Sequence, residues 1–379
     1  MKTMTKKVGI ITAGGDCPGL NAVIRGAVKT AEYNNVEVYG FLEGYKGLLE
    51  NRYIKLDSKT VSGIIHKGGT ILGSNNATNT FAVPEIKENG EKVFVDKSFE
   101  IADRLKNEGF DCLIVVGGDG SLKSARDYMY RGVNVIGVPK TIDNDVPFTD
   151  VTFGFNTAVD VATEAVDRLH TTAESHGRIM VLEVMGRYAG WIALSAGIAG
   201  GADTVLIPEV PYDFESVMKK IEQRRNLGKN FSIIVVAEGA VPKEGSRAIR
   251  EIEADKSNNE GLDAVKLGGA GAFVAKQIEK LAGQEARATT LGYLQRGGNT
   301  SPYDRILSTE YGAAAMQLAI DEKFGRMVTM LNGKIQSISL DEVAGKDTEI
   351  GTKSSNLKLV DLNGDLVKTA RRVGICLGD

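Results

Sequence analysis

The sequence predicts an α/β protein of two units that share a cleft, and three observations carry that prediction. Strand-like and helical patterns alternate almost throughout the chain, the rhythm of parallel sheets covered on both faces. Glycine is abundant at 45 residues and proline scarce at 8, which suits many strand-to-helix turns and ligand loops. The 379 residues also exceed what one hydrophobic core comfortably organises.

In chain order, residues 8–12 form an apolar strand, 20–31 an amphipathic helix and 36–42 a second strand. The runs 113–116 and 133–138 are β-branched and apolar, and they read as buried parallel strands whose following loops open at one sheet edge. A helix over 156–169 places Val159, Ala162, Val166 and Leu169 on one face, with Asp160, Glu164 and Asp167 turned away. A second cycle follows, with strands at 179–184, 204–207 and 233–237 and helices at 190–199 and 214–226. The polar stretch 243–263 reads as an exposed loop with helical turns. Beyond Arg326 the chain reads as a polar tail containing Gly345, Gly351 and Gly364, whose last run, 371–377, returns as a strand.

A net charge of −3 and the lack of any polybasic tract exclude an electrostatic footprint for nucleic acid or an anionic membrane. Cys17, Cys112 and Cys376 are too few and too scattered for a disulfide framework or a cysteine zinc site, and are expected to be reduced. The basic start, residues 1–7, lacks the apolar run of a signal peptide, and no stretch approaches the ~18 apolar residues of a membrane span. The expectation is a cytoplasmic protein. His66, His170 and His176 lie without metal-binding spacing and are read as structural.

Three glycine-rich or acidic segments carry the chemistry. Gly14-Gly15-Asp16-Cys17-Pro18-Gly19-Leu20-Asn21 leads from the first strand into a helix, whose free N–H groups attract phosphate, yet it is neither a dinucleotide fingerprint nor a Walker A loop. Gly117-Gly118-Asp119-Gly120-Ser121 is more specific, because an acidic residue in a phosphate loop repels phosphate unless it also holds a cation. Asp119 is therefore a candidate magnesium ligand. Comparable loops occur in NAD kinases and lipid kinases. In Thr141-Ile142-Asp143-Asn144-Asp145, read as an extended loop, the two aspartates project to one side, one to take a proton and the other to assist a metal. Lys140 beside them reads as a mobile cation suited to a migrating phosphoryl group. Arg178, Arg187, Arg287 and Arg296 flank strand-like runs and fit phosphate, which guanidinium matches bidentately.

Together these motifs resemble the 6-phosphofructokinase family, from Lys7 to about Arg326, in the segments 14–21, 68–73, 117–121, 141–145, 175–178, 185–187 and 291–305. The resemblance implies two Rossmann-like three-layer α/β/α domains with mostly parallel sheets and the site in the cleft between them. Residues 1–155 plus about 295–345 would form the nucleotide domain, and 156–294 plus about 346–379 the sugar-phosphate domain. It places Asp143 as the base, Thr141 and Arg187 beside the transferred phosphoryl group, and Asp119 at Mg²⁺. Gly15, Tyr45, Gly118, Gly120 and Ser121 would contact ATP; Met185, Gly186, Glu238, Tyr293 and Arg296 would hold fructose 6-phosphate, with Arg178 and Arg287 lent by a neighbouring subunit of a homodimer or homotetramer.

The chain departs from the family pattern at several positions. Lys140 stands where bacterial ATP users carry glycine, a feature of the pyrophosphate-dependent and mixed-substrate branch, whereas Gly120 is of the ATP type. Asn76 replaces an arginine, and Tyr293 a frequent histidine. Arg25, Lys29 and Arg52 match the basic positions of an effector site, but His170 replaces a further arginine there. The implied activity is ATP-dependent phosphorylation of the 1-hydroxyl of fructose 6-phosphate. The alternatives are pyrophosphate as donor, a silent sugar-phosphate-binding subunit, and an NAD or lipid kinase, the last of which leaves the aspartate loop unexplained.

Overall fold

The computed structural model describes residues 6–243, 269–345 and 356–379. Apart from Lys243, the loop expected over 243–263 lies outside the described residues. The strands follow as β1 (Lys7–Thr12), β2 (Glu37–Phe41), β3 (Tyr53–Leu56), β4 (Val83–Ile86), β5 (Lys92–Val95), β6 (Cys112–Gly117), β7 (Val135–Thr141) and β8 (Phe153–Gly154). They continue as β9 (Ile179–Val184), β10 (Thr204–Leu206), β11 (Ser232–Ala237), β12 (Ala286–Thr290), β13 (Arg326–Leu331) and β14 (Lys334–Ser339).

Two main sheets result. The first has the order β14-β13-β7-β6-β1-β2-β3 with β8 beside β7, and the second the order β10-β11-β9-β12. The second is parallel throughout, whereas the first is parallel from β13 to β2 and carries antiparallel strands at its edges. Strands β6, β9 and β11 are buried along their whole length, which is why they read as unbroken apolar runs: helices cover both faces of each sheet. The helices Leu20–Tyr33 and Pro302–Ile320 pack backbone to backbone. A Cβ on Gly26 would sit 2.6 Å from the Thr309 carbonyl, so only glycine permits the approach.

Three sequence expectations change. The helix expected over 156–169 runs from Phe155 to His176, nearly two turns further, and stops at Gly177 in the left-handed region. The segment after Arg326 is no tail: β13 and β14 form a hairpin that adds two strands to the first sheet. Its turn, Asn332-Gly333, has φ of 53° and 70°, the conformation a two-residue hairpin demands. The final run forms no strand, because Arg371 and Arg372 close the helix Asp365–Arg372 and Cys376 alone bridges Thr204. The three cysteines are free, and no helix among the described residues is long and apolar enough to cross a membrane.

Candidate active site

Strand β1 leads away to β2 on one side, while its other neighbour, β6, continues to β7. The carboxyl ends of β1 and β6 therefore flank a topological switch point, where open parallel sheets bind ligands. Gly14, Gly15 and Asp16 leave β1 here. The segment after β6 is already helix: Gly118 is the N-cap of Asp119–Tyr130, so Asp119, Gly120 and Ser121 form its first turn with N–H groups that lack helical partners. The glycines of this rim differ in cause. A Cβ on Gly117 would collide with the Ser121 side chain, and Gly14 has φ of 78°, so both are required by the fold. Gly120 has neither constraint, since a Cβ there would meet nothing within 4 Å, and the space above it is open to a ligand.

Tyr45 lies beneath this turn. Its hydroxyl donates to the Ser121 carbonyl at 2.9 Å and its ring stacks on Tyr128, leaving the side chain buried as a support of the helix start.

Strand β7 delivers the aspartates. Lys140 is buried in the strand and its ammonium donates to the Gly15 carbonyl at 2.5 Å, so it is a fixed tie between two loops and not the mobile cation expected. Burial lowers its pKa. The loop is not extended either, because Asn144 adopts φ of 54° and turns the chain between the two aspartates. Thr141 Oγ1 accepts from the Asp143 N–H at 3.0 Å. Burial pushes both aspartates well above the usual carboxylate range; for Asp145 the charges of Asp143 and Asp119 add to the effect, so the three carboxylates share one neighbourhood. Arg296, Lys140 and Arg187 oppose the rise at Asp143. Its Oδ1 is buried with no hydrogen-bond partner among the described residues, and so is Nε of Arg296. Buried polar atoms are seldom left in that condition.

The second sheet supplies the opposite wall from its own carboxyl edge. Met185, Gly186 and Arg187 follow β9, Glu238 follows β11, and a short 3₁₀ turn, Gly292–Gln295, follows β12 and leads into Arg296. The Glu238 N–H donates to the Val184 carbonyl at 2.9 Å and Gly239 to Gly186 at 3.1 Å, which lock the two strand ends together. Arg296 crosses the cleft: Nη1 donates to the Asp16 carbonyl at 3.0 Å, and a Cβ on Gly15 would strike the guanidinium. Burial pushes Glu238 up to about 6, against the pull of Arg187.

Two glycine-rich strand-end segments, buried carboxylates and the cleft-crossing Arg296 thus converge, and the family model for phosphofructokinase matches residues 7–319. The chain belongs to the phosphofructokinase family. It is 53% identical over 376 residues to ATP-dependent 6-phosphofructokinase 2 of Clostridium perfringens, with 99% of each chain covered. It is 46% identical to ATP-dependent 6-phosphofructokinase of Spirochaeta thermophila, covering 99% of this chain and 98% of that one. The solved phosphofructokinase structure from Saccharomyces cerevisiae superposes with a TM-score of 0.74 at 31% identity, over 89% of this chain and 45% of the yeast chain.

Other expected site residues of this phosphofructokinase lie elsewhere. Arg178 precedes β9 and Arg287 pairs with Met180 in the β12–β9 register, so both sit at the amino edge of the second sheet, away from the cleft. Tyr293, by contrast, stays beside the cleft in the turn Gly292–Gln295 and is 80% exposed, and Asn76 is exposed. Of the effector-type positions, Lys29 pairs with Glu32, Arg52 with Glu43 and Glu50, and the His170 Nε2 is bonded to the Gly200 carbonyl at 2.9 Å. One contributor escaped the sequence reading: Gln295 is fully buried, accepts from the Met185 N–H at 3.3 Å and donates to Gly292, so it clamps the β9 loop to the turn that carries Arg296. It lies inside the segment 291–305 but has no charge to attract notice.

Among the described residues no group of three or more histidine, cysteine or acidic side chains forms a ready metal cage. Magnesium binds through one or two carboxylates and substrate phosphates. The gathering of Asp119, Asp143 and Asp145 at the start of the helix Asp119–Tyr130 fits that donor set.

Proposed function

We propose that this chain is an ATP-dependent 6-phosphofructokinase that converts fructose 6-phosphate to fructose 1,6-bisphosphate. Asp143 accepts the proton of the 1-hydroxyl as that oxygen bonds to the γ-phosphorus, and the bond from the γ-phosphorus to the bridging oxygen breaks to release ADP. The observation that carries the reading is the buried Asp143 Oδ1, without a hydrogen-bond partner among the described residues, in a carboxylate whose charge Arg296, Lys140 and Arg187 favour. A protein that only binds sugar phosphate needs neither a base nor a group that stabilises the transferring phosphoryl.

Thr141, which fixes the Asp143 backbone, and Arg187 flank the phosphoryl group, and the first turn Asp119–Ser121 with Gly118 and Gly15 receives the nucleotide phosphates. Asp119 would hold Mg²⁺, which would offset phosphate charge. Met185, Gly186, Glu238, Tyr293 and Arg296 receive the sugar phosphate. Arg296, by its bond to Asp16, also touches the nucleotide wall.

The domain division 1–155 plus about 295–345, against 156–294 plus about 346–379, is supported by β13 and β14 joining the first sheet. The half-buried Arg178 and the exposed Arg287 at the far edge complete a site of a second subunit in a homo-oligomer. We place the reaction in the cytoplasm. The open space above Gly120 favours ATP over pyrophosphate, and the Lys140 ammonium is committed to Gly15. The test is the initial rate of fructose 6-phosphate phosphorylation in variants of Gly120: Gly120→Asp should cut kcat/KM for ATP sharply, and an unchanged value contradicts the placement of the nucleotide.

A further inference from the structure

The C-terminal segment 356–360 joins the aspartate loop to the second unit. The Lys358 ammonium donates to Asn144 Oδ1 at 3.0 Å and to the carbonyls of Thr149 and Asp150 at 2.9 Å each, three donors on three acceptors. The Lys358 N–H donates to the Asp145 carbonyl at 2.8 Å. On its other side the Lys358 carbonyl accepts from Trp191 Nε1 at 2.9 Å, and the Val360 N–H donates to Glu209 Oε1 at 2.9 Å. The same Glu209 carboxylate accepts from the Gly190 N–H at 3.0 Å. Gly190 and Trp191 begin the helix that follows Arg187.

Asn144 is the pivot. Its left-handed backbone sets the angle between Asp143 and Asp145, and its Oδ1 is gripped twice, by Lys358 and by the Thr152 N–H at 3.0 Å. A non-glycine residue keeps that conformation only where its surroundings over-determine it. We propose that Lys358 is a positioning residue for the aspartate loop: it touches no reacting atom, but locks the turn at Asn144 and, through Trp191 and Glu209, sets Asp143 in register with the strand end that carries Arg187. The inference rests on the reading of Asp143 as proton acceptor.

Lys358→Met in the full-length protein tests it. A loop displaced by about 1 Å costs on the order of 10²-fold in rate, so kcat should fall at least ~10-fold. KM for ATP should change little, because the turn Asp119–Ser121 is untouched, and amide hydrogen exchange should accelerate over 141–152 and not across the chain. Lys358→Arg should recover part of kcat. An unchanged kcat, or a loss of kcat accompanied by chain-wide exchange, overturns the proposal. Should Lys358→Met fail to fold, Trp191→Phe removes the strap's indole donor alone; faster exchange over 141–152 with reduced kcat supports the proposal, and wild-type exchange and rate overturn it. Asp143→Asn measured alongside separates the two readings: wild-type turnover there refutes the base, and the exchange pattern then decides the role of Lys358 alone.

Discussion

Arg187 and Arg296 differ from Arg178 and Arg287 in almost everything but residue type. The first pair follows the carboxyl ends of β9 and β12 and acts on buried carboxylates, Asp143 and Glu238, with Nε of Arg296 unpartnered among the described residues. The second pair sits roughly 20 Å away at ~3.3 Å per strand residue, at the opposite edge of the same sheet. There, both side chains are partly exposed and share Glu285, with Arg178 Nε 2.5 Å from its carboxylate. Residue type and closeness to a strand therefore do not by themselves define a site: the inner pair acts on buried carboxylates, whereas the outer pair is held by Glu285 near the surface.

The inner set gives the largest expected effect. Asp143→Asn should retain nucleotide binding and lower kcat by at least ~10²-fold, the scale of a lost positioned base. Steady-state rates with calorimetric binding check this, and lost binding with intact kcat would break the assignment. The outer set should fail differently. Arg178→Ala subunits co-assembled with Asp143→Asn subunits should regain activity that neither has alone, since some sites then contain neither lesion. No recovery in verified mixed oligomers would mean that each site is built from one chain.

A smaller effect sharpens the cost of the inner set. Glu238 is pushed from 4.5 up to about 6 in the folded chain. The folded state therefore holds its proton more tightly than the unfolded one, and stability falls as pH rises from about 4.5 to about 6. Glu238→Gln should stabilise the unliganded protein by up to ~2 kcal/mol at pH 7.5 and by little at pH 4.5. Thermal unfolding at the two pH values reads this out; a gain only at low pH reverses the sign and refutes the burial cause. The smallest change is expected at the tie between the walls. Lys140→Met frees the Gly15 carbonyl and should raise KM for the nucleotide several-fold, less than the full ~1.5–3 kcal/mol of a charged hydrogen bond because Gly15 itself remains in place, with kcat less affected.

What the sequence made legible was local. Residues 113–116 and 179–184 are read correctly because strands buried on both faces must be apolar at every position. That the Asp119 and aspartate segments follow strand ends is legible from the apolar runs before them, whereas the left-handed turn at Asn144, read as extended chain, is not. The hairpin of β13 and β14 was missed although Asn332-Gly333 is a strong turn signal, since its edge strand alternates polar residues that resemble a tail. The tether of Lys140, the crossing of Arg296 and the grip of Lys358 on Asn144 span 125, 280 and 214 residues. Such contacts depend on how two sheets face each other, which no window of sequence contains. Arg178 and Arg287 illustrate the same limit, for being next to a strand does not say at which end of the sheet a residue lies.

The central claim, that the cleft transfers a phosphoryl group from ATP to fructose 6-phosphate, is tested most directly by initial rates of the unmodified protein with ATP and with pyrophosphate as alternative donors. Fructose 1,6-bisphosphate should form with Mg²⁺ present, and kcat/KM for ATP should lie far above that for pyrophosphate. Efficient turnover with pyrophosphate and little with ATP would contradict the donor, and no phosphorylation of fructose 6-phosphate with either would contradict the account as a whole.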